Sequence, residues 1–278
     1  MQLNPRYGAD PIISLDGSPA AIAEPAIRQR RRLAEVLASF TDDQWAHPSR
    51  CEGWSGRDVI VHLDSTNSFW TYSIEAGIRG EPTTLLSTFD PVRSPAAFVD
   101  GSTGMTADAV LEGFTASTAT LVELLDSLDD AAWSVPAEAP PGHLSVSAVA
   151  HHALWDSWVH ERDILLPLGV VPAVEADEVA ACLRYVAALA PAVALNGGAV
   201  AAGRLAITAS DPDLDLLVEV GDAVSVGPAP GGTEPGLAGD AVDLVESLSL
   251  RRPFDQPIRG ELAPVYGGLA EAFDAEPR

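Results

Sequence analysis

The residues best suited to chemistry lie between Ala148 and Gly169, in the run AVAHHALWDSWVHERDILLPLG. His151, His152, Asp156, His160, Glu161 and Asp163 stand there among large apolar side chains. Ala150, Ala153, Leu154, Val159, Ile164 and Leu165 suit a helix whose apolar side faces a core, and positions four apart share a face at about 3.6 residues per turn. His152, Asp156 and His160 therefore fall on one stripe, flanked by Trp155 and Trp158. Burying charge is costly unless the group is paired or bound to a cation. Two readings follow. The stripe is either a partly solvated helix edge with a His–Asp hydrogen bond, common at i,i+4 spacing, or half of a metal site. In the second reading a third ligand from a neighbouring helix leaves one position of a tetrahedral zinc ion open for chemistry.

The elements that must position this stripe are mainly helical. Hydrophobic residues make up 47% of the 278 residues and aromatics 6%, so the core is built from Ala, Leu and Val. Ala20 to Phe40 has apolar residues at helical spacing, with Arg28 to Arg32 read as a solvated outer face. Thr41 to Gln44 has the form of a capping box. Ser55 with Asp58 starts a helix that runs to about Arg79. His62 lies two turns in and faces inward, as a hydrogen-bonded core residue or as a ligand. Gly80 to Gly104 is a long crossing of the kind often tied to function. Thr106 to Asp129 is a third helix, and the connection from Asp130 to Gly142 leads into the helix that ends at Pro167 and Gly169. Four long helices, each apolar on one side, form a bundle pattern, and metal ligands converge in bundle cores. Ala173 to Leu195 is a fifth helix. Beyond Gly203, short alternating runs separated by Asp211-Pro-Asp213 and Gly221-Asp222 read as strands, followed by two helices. The expected organisation is an extended N-terminal arm over 1–19, a helical bundle over 20–196 and a small α+β domain over 203–278.

Charge and composition exclude several functions. The formal net charge is −24 and every basic residue is an arginine. Such a chain repels polyanions, so nucleic-acid binding is not expected. An anionic substrate would need a local cation, either a metal or a placed arginine. Two cysteines, Cys51 and Cys182, make no disulfide framework, and a reducing cytoplasm is expected. Both cysteines read as packed residues. No basic start precedes an apolar run at the N-terminus, so no signal peptide is expected. The most apolar window, Tyr185 to Gly203, is interrupted by Pro191 and Asn196, so no membrane span is expected. Monomer and dimer stay equally open.

Two segments carry a family resemblance. Arg50-Cys-Glu-Gly-Trp54 with Arg57-Asp-Val-Ile-Val-His-Leu63 resembles the first motif of the mycothiol-dependent maleylpyruvate isomerase family. Trp155-Asp-Ser-Trp-Val-His-Glu-Arg-Asp163, followed by Pro167-Leu-Gly169, resembles the second, and Gly239-Asp-Ala-Val-Asp-Leu244 is similar to the family's C-terminal domain. The resemblance implies an α-rich multidomain chain, a DinB-like four-helix bundle followed by a small α+β domain. It implies a divalent metal, Zn2+, held by His62, Asp156 and His160, with mycothiol as thiol cosubstrate. The family's acid is glutamate and the residue here is Asp156. His152 then serves as substitute ligand or supporting residue. A metal-activated thiolate would add to an electrophilic small molecule, in an isomerase or an S-transferase. Glu161, Arg162 and Asp163 become candidate acid, base or supporting groups, with surface or helix-end charge as their alternative. Arg251 and Arg252, in the context Ser-Leu-Arg-Arg, follow the C-terminal helix where the resemblance implies a functional arginine, and Arg252 is the candidate. Two other functions stay open: a mycothiol-independent tailoring metalloenzyme of hydrolase or lyase type on the same bundle, and a non-catalytic small-molecule-binding protein.

Overall fold

Ser55 and Asp58 begin the helix that carries His62, as their spacing predicts. The Ser55 hydroxyl accepts from the Asp58 amide while the Asp58 carboxylate accepts from the Ser55 amide, so two otherwise unpaired N–H groups are satisfied. The computed structural model describes residues 3–273. The first two residues of the expected arm and the last five of the expected C-terminal domain lie outside the described residues. The helices are α1 (Ala23–Leu37), α2 (Asp42–Trp45), α3 (Gly56–Ile78), α4 (Arg93–Gly101), α5 (Ala107–Ser127), α6 (Val146–Leu165), α7 (Ala176–Asn196), α8 (Ala241–Leu248) and α9 (Gly268–Ala272). The strands are β1 (Ile13–Leu15), β2 (Pro136–Ala139), β3 (Gly142–Ser145), β4 (Gly203–Ser210), β5 (Leu214–Val220), β6 (Val224–Pro228) and β7 (Leu237–Asp240).

Helix α3 packs on α5 and α6, and α1 packs on the same two, so these four close a ring. Helix α7 lies outside the ring against α6 and α1, and also meets α8, α9, β1, β5 and β6. Its apolar window is long enough to cross a bilayer, yet 78% of that window is buried inside the protein, which makes it a core helix. The five-stranded sheet runs β1-β6-β5-β4-β7. The β1–β6 and β4–β7 pairs are parallel and the inner pairs antiparallel. Buried residues of α6, α7 and the sheet belong to one continuous core.

Three segments depart from the sequence reading. The N-terminal arm is docked: Ile13 stands opposite Val224 in the sheet, and Ile12 and Ile13 are buried. The connection before α6 holds a hairpin, β2 with β3. Gly142 in that hairpin has φ of 126°, and a Cβ there would lie 2.0 Å from the Arg6 carbonyl oxygen, so no other residue fits. The basic run on α1 is not a solvated face apart from Arg31, which is exposed. Arg30 is fully buried and donates to Asn67 and to the Ala153 carbonyl, while Arg28 and Arg32 pair with acids of α6 and α7.

Candidate metal centre

Helix α6 is buried on almost every side, so each polar residue on it requires a partner from another element. His62 of α3 meets Asp156 and His160 of α6. The His62 Nε2 lies 3.7 Å and the His160 Nε2 3.6 Å from the Asp156 Oδ1. The three ligand atoms lie within 4.8 Å of one another. Two atoms bound tetrahedrally at about 2.1 Å from one zinc ion stand about 3.4 Å apart. The donor set, two imidazoles and a carboxylate, is one that zinc takes in catalytic sites. The Asp156 Oδ2 is buried without any hydrogen-bond partner, a vacancy in the bonding that a cation would fill. The His62 and His160 rings are 5.0 Å apart and edge-on, and Trp54 packs on His62. Burial pushes the Asp156 carboxyl upward, but His62, His160 and His152 outweigh it and hold the group well below the usual range. The residues therefore fit a divalent cation.

Asp163 supports this cluster from the next turn of α6. It is fully buried and accepts from the His160 Nδ1 at 3.0 Å, the Arg50 Nε at 2.9 Å and the Arg251 Nη2 at 2.8 Å. Burial opposes its charge, but His160 and Arg251 hold the carboxyl far below its ordinary value. An ionised carboxylate only accepts, so the His160 Nδ1 carries the hydrogen and Nε2 is turned to Asp156 and His62. Burial lowers the His160 pKa, but the Cys51 sulfur, Asp163 and Asp156 raise it to about 10. A cation bound there displaces that proton.

The other expected residues lie elsewhere. The His152 Nδ1 faces the Tyr185 hydroxyl, its ring packs among Trp70, Trp155 and Tyr185, and burial pushes it down to about 4. Neutral and engaged, it stands outside the ligand cluster. Glu161 points the other way, to Gln29 and Arg32 of α1. Arg162 donates to Glu246 at 2.7 Å and lies over the Trp158 ring. Arg252 pairs with Asp243 and Asp255 and does not line the cavity. Its neighbour Arg251 does. The two arginines thus point opposite ways beyond α8.

Several residues of the site went unread. Cys51, taken as a packed cysteine, has its sulfur 3.6 Å from the His160 Nδ1 and 3.3 Å from the Asp163 Oδ2, and it lines the cavity. Arg50 bridges Asp163 and Glu246. Both belong to the Arg50-Cys-Glu-Gly-Trp54 motif, which was the available signal. Above the cluster opens a cavity of about 870 Å³ whose walls include His62, Asp156, His160, Cys51 and Arg251.

The family model described as "Mycothiol maleylpyruvate isomerase N-terminal domain" matches residues 27–165, half of the 278-residue chain. Two solved structures are similar in fold: a crystal structure of the mycothiol-dependent maleylpyruvate isomerase and one of a mutant with a histidine replaced by alanine. Each is 15% identical, with a TM-score of 0.58 over 84% of this chain and 88% of the other. A comparison with curated proteins returns no match. By the match from α1 to the end of α6, the chain belongs to the mycothiol maleylpyruvate isomerase family of enzymes.

Proposed function

We propose that the protein is a mycothiol-dependent metalloenzyme in which a thiolate adds to an electrophilic small molecule, as an isomerase or an S-transferase. The ring of α1, α3, α5 and α6 is read as the DinB-like bundle, and the segment after Gly203 as its α+β partner. The observation that carries the reading is the meeting of His62, Asp156 and His160 around an unpartnered carboxylate oxygen at the wall of a large cavity.

His62, Asp156 and His160 would hold the cation, which is zinc on the chemistry of the donors. A zinc ion supplies the positive charge that keeps a coordinated thiol in its thiolate form at neutral pH. Around it the chain's own groups have separate tasks. Asp163 keeps the proton of His160 on Nδ1, which frees Nε2 for coordination. Arg50 and Arg251 clamp Asp163 from outside α6 and so hold in place the carboxylate that accepts from the His160 Nδ1. With these donors directed at it, Asp163 is too weak a base to take a proton from substrate, and its role is positioning. Glu161 and Arg162 tie α6 to α1 and α8.

The test is metal analysis of the purified protein, followed by turnover assays with and without mycothiol. The reading expects close to one zinc per chain and thiol-dependent consumption of an electrophile. No zinc after reconstitution overturns the metal reading. Zinc with turnover that ignores mycothiol favours the tailoring enzyme, and ligand binding that survives EDTA without turnover favours the binding protein.

A further inference from the structure

We infer that the electrophile taken by this cavity is a bulky, mainly apolar molecule, aryl or long-alkyl, and not a small dicarboxylate. The inference rests on the thiol-addition reading above and names its substrate class. The first observation is the size and lining of the space. A cavity of about 870 Å³ is near the top of the range for small-molecule sites. Along α3 the lining runs from His62 past Ser65 and Thr66 to Phe69 and Trp70. At 1.5 Å rise per residue, those last two stand roughly 10–12 Å from His62 along the helix. Leu189 and Val193 of α7 and Leu269 of α9 also line the space. An acceptor whose reactive carbon sits near the ligand cluster thus has a deep apolar region for its remainder.

The second observation is that the mouth is apolar and built. Leu85 and Phe98 line the cavity while 59% and 62% exposed, so its rim presents apolar surface that an apolar ligand would cover. The wall at Leu85 and Leu86 is held in place by Glu138, a fully buried carboxylate. Glu138 accepts from the Thr83 hydroxyl at 2.6 Å, the Leu85 amide at 2.9 Å, the Leu86 amide at 2.7 Å and the Tyr7 hydroxyl at 2.7 Å. The His143 Nε2 adds a contact of 2.8 Å to the Thr83 carbonyl. The apolar wall is therefore preformed, which lowers the ordering cost of binding.

The third observation is that the cationic groups are already engaged. Arg50 and Arg251 are the guanidinium groups among the described lining residues. Arg50 donates from all three nitrogens, to Asp163 and Glu246. Arg251 donates likewise to Asp163 and to the Ser249 carbonyl. A second substrate carboxylate would compete with these internal acids, beside Glu52 and Asp156 in the same lining and on a chain of net charge −24.

The test uses unreactive N-alkylsuccinimides, from ethyl to hexyl, as mimics of thiol-accepting imides, titrated by calorimetry into the full-length protein with and without zinc. Affinity is expected to rise about fourfold per methylene. Maleate is expected to bind at least tenfold more weakly than the hexyl compound. Leu85→Asp and Phe98→Asp, both at exposed positions, are expected to weaken the hexyl compound severalfold more than the ethyl one. A series flat in chain length, or maleate binding more tightly than the hexyl compound, overturns the inference. Mycothiol-dependent turnover of the matching N-alkylmaleimides is measured separately. A steep binding series without turnover removes the thiol reading and keeps the apolar site, whereas turnover with a flat series does the reverse.

Discussion

Asp163→Asn separates a positioning role from a merely structural one. In the native protein the carboxylate is fully buried and receives His160, Arg50 and Arg251 at 2.8–3.0 Å. Asparagine keeps the shape and one acceptor oxygen but removes the charge and turns an NH2 toward a guanidinium. Removing one partner of a buried ion pair costs about 3–5 kcal/mol. The two arginine side chains are 23% and 25% exposed, so water replaces part of the loss. A cost of about 2–3 kcal/mol is expected in urea unfolding of the zinc-free protein. The zinc effect is separate. With no carboxylate on Nδ1, His160 is less basic and freer to turn, and support of this kind is worth about 10- to 100-fold in metal affinity. Competition against a chromophoric chelator measures that ratio directly. Zinc affinity unchanged within about twofold, together with lowered stability, would refute the positioning argument and leave Asp163 as a structural tie.

Other perturbations address separate parts of the molecule. His62→Ala and His160→Ala are each expected to abolish stoichiometric zinc after dialysis while leaving far-UV circular dichroism intact; retained zinc in either variant counts against the ligand assignment. Glu138→Gln loses the charge on the bonds that hold the cavity wall, so about 2–4 kcal/mol of destabilisation is expected, with faster hydrogen exchange at Leu85 and Leu86 and unaltered zinc affinity. The pH dependence of stability is checked at Glu246. Burial raises its pKa, but the bonds from Arg50 and Arg162 outweigh this and hold it below the ordinary carboxylate value. Its contribution is thus present above the unfolded value, near 4.3, and disappears as pH falls through the lower folded one. Glu246→Gln should flatten the fall in stability between about pH 5 and pH 3, as read by urea midpoints; parallel curves for the two proteins would contradict this.

What was legible in the sequence was local. The i,i+4 stripe on α6, the capping residues of α3 and the inward side of His62 follow from helix periodicity, which needs only neighbours within a turn or two. What was missed depends on partners far along the chain. The Arg28 to Arg32 run looks solvated because the acids it meets, Glu161 and Glu178, lie well over a hundred residues away. Ile13 finds Val224 across a still longer separation, and nothing within the first twenty residues announces a sheet. The choice between Arg251 and Arg252 turned on one backbone angle. Leu250 has φ of 62°, a left-handed conformation that leucine rarely adopts, just after α8 ends. No glycine marks that reversal. It sends Arg251 to Asp163 and leaves Arg252 with Asp243 and Asp255.

The two readings of the α6 stripe differ in the hydrogen bonding they require. A solvated helix edge requires side chains in water, yet those of His62, Asp156 and His160 are only 11–14% exposed. Polar groups around the helix find partners one by one: His152 with Tyr185, Glu161 with Arg32, Arg162 with Glu246, and Asp163 with Arg50 and Arg251. Asp156 differs. Its Oδ1 sits beyond normal hydrogen-bond length from both imidazoles, and its Oδ2 meets nothing. An unsatisfied buried carboxylate oxygen is destabilising by several kcal/mol. Spacing too long for hydrogen bonds but close to that of ligands sharing one ion is the arrangement in which a bound cation would relieve that penalty. Under the metal reading proposed above, removing zinc is expected to lower the stability of the fold as well as the activity, as chelator treatment followed by urea unfolding would show.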